Sequence, residues 1–182
     1  MIQILLARHG EAAKGNSIVD PALTPLGHKQ AIQLASSFSK NTYLKLVSSP
    51  KLRAQQTAKP LADKLGTSIS LENRVSEIPT PKGVSLGQRL SWIRSLLSKE
   101  WDPSNRQQKD WRDGIKDYLL SIEEDTIIFC HFMVINSVVA YILNDNKVQQ
   151  FRPDYTSVTQ LQLSDSHLKL IKLGSERDSQ IN

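Results

Sequence analysis

The sequence predicts an α/β protein, a three-layer α/β/α sandwich built on a largely parallel sheet. Two observations predict it. Short apolar runs of strand length alternate with stretches of helical periodicity along most of the chain. Polar, chemically capable clusters then follow three of those runs directly, as at the carboxyl ends of strands in open α/β sheets.

Ile2 to Ala7 is apolar throughout and reads as a buried strand. Thr24-Pro25 opens a helix, with Thr24 as N-cap, proline at the first position, and Leu26, Gln30, Leu34 and Phe38 at roughly helical spacing. Leu44 to Val47 is the second strand. Lys51 to Leu65 is a helix that Gly66 stops. Ile69 and Leu71 belong to a short third strand. From Ile78 the texture changes. Pro79, Pro81 and Gly83 make a loop, and Leu86, Leu90, Ile93 and Leu97 mark an amphipathic helix that Pro103 ends. Trp111, Ile115, Tyr118 and Ile122 mark another. Thr126 to Cys130 is a strongly apolar fourth strand, and Val134 to Leu143 reads as a helix. Val158–Leu163 and Leu168–Leu173 alternate around Ser164-Asp165-Ser166, so they read as a hairpin. The tail after Gly174 is polar and reads as loose.

This organisation is one domain over residues 1–174 with a polar tail at 175–182, and 182 residues suffice for a full core. Residues 79–123 read as a helical insertion that covers one end of the sheet. The 23 Lys+Arg against 18 Asp+Glu leave a net charge of +5, which favours anionic ligands; the charge is spread along the chain, which argues against a nucleic-acid arm. Cys130 is the single cysteine, so neither an internal disulfide nor a cysteine zinc site can form, which fits a reducing, cytoplasmic setting. The apolar start reaches Arg8 too soon for a signal peptide, and no run approaches the ~18 apolar residues of a membrane span. No nucleic-acid or membrane partner is therefore expected.

The chemistry lies behind the strands. Arg8-His9-Gly10-Glu11 follows the first, Ser48-Ser49-Pro50 with Arg53 a turn later follows the second, and His131 ends the fourth. If these strands are parallel neighbours, two histidines and two arginines converge. Arginine forks match phosphate oxygens in pairs and stay charged at any working pH. A neutral imidazole can attack phosphorus while a charged second one stabilises the oxygens. A lone histidine behind a strand is usually structural, but two, each with arginine nearby, make a phosphate pocket the stronger reading. His28 and His167 read as surface residues. Asn136 stands six residues after Cys130 where a cysteine phosphatase needs arginine, so Cys130 reads as a core thiol facing away from His131. A glycine-rich loop ending in Lys-Ser/Thr and a dense carboxylate cluster are both missing, so the expected chemistry needs no metal and no cofactor.

These segments resemble the histidine phosphatase superfamily, the phosphoglycerate-mutase-like proteins. The motifs that carry the resemblance are Leu6-Ala7-Arg8-His9-Gly10-Glu11, Leu23-Thr24-Pro25-Leu26-Gly27-His28-Lys29-Gln30-Ala31, Ser48-Ser49-Pro50-Lys51-Leu52-Arg53-Ala54-Gln55-Gln56-Thr57-Ala58 and Cys130-His131. Their order and spacing agree from Met1 to about Leu173. The resemblance implies a phosphoglycerate-mutase-like fold, a phosphorylated histidine at His9, and a phosphate pocket completed by Arg8, Arg53 and His131. It implies that Glu77, in Arg74-Val75-Ser76-Glu77-Ile78, is the proton donor, with Glu72 close by. Asn16 matches a substrate asparagine with its spacing off by about one residue. Phe132 stands where the family usually has glycine with its N–H near the phosphate; the N–H remains, and the ring either narrows the pocket or packs into the core.

The function implied is a metal-independent phosphatase of a small phosphorylated metabolite. A phosphoglycerate-type mutase is the rival enzyme, disfavoured by the short chain and the missing Tyr-Gly stretch after the Glu77 region. A non-catalytic phospho-ligand module is the third reading. Specificity is expected in Leu86–Ile122, where Arg89, Arg94, Trp92, Trp101 and Trp111 either face the pocket or, for the tryptophans, pack between helices. Substrate and oligomeric state stay open at this level.

Overall fold

The computed structural model describes residues 1–15 and 18–176. Asn16 lies outside them. Six strands form one sheet: β1 (Ile2–Arg8), β2 (Lys45–Ser48), β3 (Ile69–Leu71), β4 (Thr126–Cys130), β5 (Val158–Ser164) and β6 (His167–Lys172). Their order is β3-β2-β4-β1-β5-β6. The first four are parallel, and β5 and β6 run antiparallel at one side.

The helices α1 (Pro25–Ser36) and α2 (Leu52–Leu65) cover one face, and α4 (Arg106–Leu120) and α5 (Phe132–Leu143) the other. A strand buried on both faces sends successive side chains to opposite layers. In β1, Ile4 and Leu6 join the cluster with Ile115, Leu119 and Val138, while Leu5 and Ala7 join Leu34, Ala58 and Leu61. Cys130 lies in the first cluster, and burial pushes its thiol upward, as befits a core residue.

The local signals act as read. The Thr24 hydroxyl accepts from the Gly27 N–H and caps α1. Gly66 ends α2 at φ 65°, where a Cβ would be strained. Asp165 and Ser166 both take positive φ, 48° and 61°, as a two-residue hairpin turn demands.

Three expectations change. The stretch from Leu86 splits into a 3₁₀ turn (Leu86–Gln88) and α3 (Arg89–Leu96), and α4 begins before its apolar pattern because Asn105 caps it by accepting from the Gln108 N–H. Helix α5 starts at Phe132, two residues ahead of the apolar run at Val134, with His131 at the N-cap. The chain after Gly174 is held for at least two more residues: the Asp154 N–H donates to the Ser175 carbonyl at 2.9 Å, and the Arg152 N–H to the Glu176 carboxylate at 2.9 Å.

Candidate active site

The carboxyl ends of β2, β4 and β1 stand side by side, because Arg8 is level with Cys130 and Ser48 with Phe129. The ladder runs one step further, with the His9 N–H on the Cys130 carbonyl (3.1 Å) and the Ser49 N–H on the Phe129 carbonyl (3.0 Å). Strand alternation then sorts the side chains. Arg8 continues the row of Ile4 and Leu6 toward the α5 layer, whereas His9 and His131 turn toward α2 and Arg53.

The second and third motifs hold the first in place. Gly10 and Gly27 press backbone against backbone: a Cβ on Gly27 would lie 2.0 Å from the Glu11 carbonyl oxygen, and one on Gly10 2.7 Å from that of Gly27. The Gly10 N–H donates to Thr57 Oγ1 (2.9 Å) and the Glu11 N–H to Gln30 Oε1 (2.8 Å). The Leu23 N–H donates to Gln56 Oε1 (2.8 Å). Side chains of α1 and α2 thus satisfy the turn behind β1, which positions His9.

The protonation of both imidazoles follows from their partners. His9 Nδ1 is 2.7 Å from the Gly10 carbonyl, which can only accept, so Nδ1 carries the proton. Nε2 is left with its lone pair and accepts from Arg53 Nε at 3.2 Å. His131 has the opposite tautomer: Nδ1 faces Arg53 Nη2 at 3.2 Å, which can only donate, so Nε2–H donates to Ser49 Oγ at 2.8 Å. Burial, then the neighbouring Arg53 charge, holds both rings well below the usual histidine range. Arg8 is buried, donates from Nη1 to the Pro153 carbonyl (2.8 Å) and lies 4.3 Å from the centroid of the Tyr155 ring.

Glu77 shares a cavity of about 320 Å³ with Arg8, His9 and Arg53. Its Oε1 accepts from the Ile78 N–H (3.1 Å) and its Oε2 from the Met133 N–H (3.4 Å), in the first turn of α5. Burial raises its pKa above the usual carboxyl value despite those bonds and the nearby arginines. Glu72 behaves otherwise. It holds Arg74 in a two-pronged pair, with its pKa lowered by that bond.

Of the insertion residues, Arg89 lines the cavity and donates to the Ile78 carbonyl (2.8 Å) and to Thr80 Oγ1. Neither Arg94 nor a tryptophan is among the described lining residues. Trp101 and Trp111 pack at 6.1 Å between ring centroids, Trp92 joins the same apolar cluster, and Trp111 donates to the Ser76 carbonyl at 3.0 Å. His28 and His167 are exposed. Tyr155 and Pro153 form part of the site and carried no signal of their own in the sequence; Ser49, in the cluster behind the second strand, takes part as the acceptor for His131. Thr156, beside Tyr155, takes φ 55°, and its N–H donates to the Arg8 carbonyl, which brings this distant loop to the end of β1.

The sequence model of the histidine phosphatase superfamily (branch 1) matches residues 4–176. The chain belongs to that superfamily. A Hydrogenobacter thermophilus protein that carries the name phosphoserine phosphatase 2 is 37% identical over 83 residues, 43% of this chain and 41% of its own length. An Erwinia tasmaniensis protein that carries the name phosphoglycerate mutase is 27% identical over 122 residues, 64% of this chain and 51% of its own length. The match thus spans about half or less of either curated relative. The crystal structure of phosphoserine phosphatase from Entamoeba histolytica with 3-phosphoglyceric acid has the same fold, with TM-score 0.76 and 22% identity over 97% of this chain and 98% of that one.

Within this superfamily member Phe132 does two things at once. Its ring is buried in the cluster with Ile78, Trp101 and Met133, and it also lines the cavity, 5.3 Å from the Arg8 guanidinium. The arrangement suits a dianion. Both imidazoles are neutral, against the charged second imidazole expected from the sequence, because His131 is buried beside Arg53; Glu77 is biased toward its acid form, so the charge nearest His9 is that of two guanidiniums. Asp20 offsets little of it, at 3.9 Å from Arg53 and itself partly exposed. Among the described residues, no three His, Cys, Asp or Glu gather as a metal site, and no helix is long and apolar enough to cross a membrane.

Proposed function

We propose that this chain is a phosphatase that hydrolyses a small phosphomonoester through a phosphohistidine at His9. One observation carries the reading: His9 Nδ1–H is tied to the Gly10 carbonyl, which leaves the Nε2 lone pair at Arg53, in the same cavity as the partly buried acid Glu77. In the first step Nε2 attacks phosphorus. The bond from phosphorus to the ester oxygen breaks, and that oxygen takes the proton of Glu77. Arg8 and Arg53 meet the equatorial oxygens, where charge is spread in the transition state, and His131 joins them as a donor once the bound dianion lets its Nδ1 take a proton. In the second step water attacks phospho-His9, gives its proton to Glu77 and releases orthophosphate as the P–N bond breaks. A small phosphorylated metabolite is the partner; no metal and no other cofactor enters either step.

The curated relatives bear the names of a phosphatase and a mutase, so both fates of the phosphoryl group need testing. A generic aryl phosphate should release inorganic phosphate, and 3-phosphoglycerate with a trace of bisphosphate should isomerise little. Fast interconversion of phosphoglycerates would establish the mutase instead. Tight binding of phosphate esters without turnover in folded protein would establish a binding module.

A further inference from the structure

We propose that the site selects phosphomonoesters whose leaving group is apolar, an alkyl or aryl alcohol in preference to a hydroxy acid. This rests on the phosphatase reading for the floor of the cavity and on other residues for its walls. Beyond the arginines, the cavity is lined by Ile18, Val19, Leu86, Leu90, Ile93 and Met133. Leu86, Leu90 and Ile93 recur at helical spacing and form one stripe. Such a stripe normally closes on the core. Ile93 does pack on the apolar cluster with Ile78 and Trp101, but Leu86 and Leu90 stay 41% and 40% exposed, and Ile18 and Val19 in the same cavity 40% and 77%. Apolar surface left open around a charged floor fits a ligand with an anionic head and an apolar body.

The cations argue the same way. A hydroxy-acid leaving group carries a carboxylate that needs a partner beyond the phosphate pocket. Arg8 and Arg53 stand beside His9, and Arg89 already donates to Ile78 and Thr80. Lys14 remains, an exposed residue at the rim on a flexible stem. A cavity of about 320 Å³ has room for a phosphate with a short chain or a single ring.

The test is the binding of an n-alkylphosphonate series, methyl to hexyl, to the full chain by calorimetry. Affinity should rise about fourfold per methylene until the wall is covered. A carboxyalkylphosphonate of matched length should bind more weakly than its alkyl counterpart. Leu90→Gln, at a half-open position that tolerates a polar group, should flatten the increments of the longer chains. A flat series, absent binding of hexylphosphonate, or preference for the carboxylate analogue would overturn the inference. The same preparation is assayed for phosphate release from an aryl phosphate. Release with a flat series sinks the apolar selectivity and spares the phosphatase reading; a rising series with no release does the reverse.

Discussion

Nε of Arg53 lies 3.2 Å from Nε2 of His9, on the one ring nitrogen that has a free lone pair. The same guanidinium reaches His131 Nδ1 at 3.2 Å, so one side chain fixes the facing edges of both imidazoles. It also opposes their protonation through its charge. A bound phosphoryl group offers these N–H donors better acceptors than imidazole nitrogen, since its oxygens are charged. In the proposed mechanism, binding then frees the lone pair as it delivers the electrophile.

The first prediction is the adduct itself. Rapid quenching with a labelled substrate should trap phosphate on His9, stable in alkali and lost in acid, as a P–N bond requires. His9→Ala should remove the adduct and turnover; loss of a covalent nucleophile costs on the order of 10⁶ in kcat. EDTA should leave the rate unchanged, since neither proposed step uses a metal. Label on Cys130 or a serine would end the mechanism.

The second prediction concerns pH. The proposed mechanism needs the free enzyme to hold His9 neutral and Glu77 protonated. Burial lowers the histidine and raises the carboxyl, so the acid limb of kcat/KM should fall below 6.5 and the alkaline limb above 4.5. The same shifts appear in stability. Below 6.5 the unfolded chain binds protons that buried His9 and His131 refuse, so the histidines make stability drop as pH falls through that region. Glu77 acts in the opposite sense, its contribution fading as pH rises through its elevated pKa. His131→Gln isolates one histidine. Its denaturation midpoint should lose less on acidification than that of the parent, by up to about 1.4 kcal/mol per pH unit. Equal slopes would mean His131 titrates normally.

The strands and the clusters behind them were legible because both faces of the sheet are buried, which makes β1 and β4 continuous apolar runs that stop where the chemistry begins. Arg8, His9, Arg53 and His131 follow from that and from the order of the strands. Less legible was the start of α5, since His131 caps the helix without a side-chain bond to mark it. The loop at Pro153 and Tyr155 left no trace either. It touches Arg8 across 145 residues of sequence through a carbonyl and a ring face, and neither has a periodicity. The tryptophans could be read either way, since a large side chain signals burial in either place, and they take the packing role that was the stronger of the two.

A third prediction comes from the two glycines under His9. Gly27→Ala places a Cβ against the Glu11 carbonyl, where no rotamer can yield. It should destabilise the fold by about 1–3 kcal/mol or more, as overpacking does, and lower kcat through the displaced His9 turn. Gly114 in α4 is the control. An added Cβ there meets nothing nearer than 3.8 Å, so Gly114→Ala should stabilise by about 0.5–1 kcal/mol. Urea midpoints of the two variants should move in opposite directions; movement in the same direction would refute the packing argument.

The fourth prediction assigns the acid. Glu72 and Glu77 follow the same strand five positions apart, but only Glu77 reaches the cavity, partly buried and with its pKa raised. Glu72 is spent on Arg74 and held ionised. The leaving group discriminates between them. A nitrophenolate departs as a stable anion and needs little protonation, whereas an alkoxide is too basic to leave unaided. General acid catalysis is worth ~10²–10⁴ in rate. Glu77→Gln should lose that much on an alkyl phosphate and far less on p-nitrophenyl phosphate. It should also flatten the alkaline limb for the alkyl ester, because that limb reports loss of the acid's proton. Glu72→Gln should change neither rate, though it breaks the ion pair with Arg74 and should lower stability slightly. Equal losses on both substrates in Glu77→Gln would make Glu77 an organiser of α5 through the Met133 N–H, with the proton supplied from elsewhere. Leaving-group dependence in Glu72→Gln alone would move the acid to the other carboxyl.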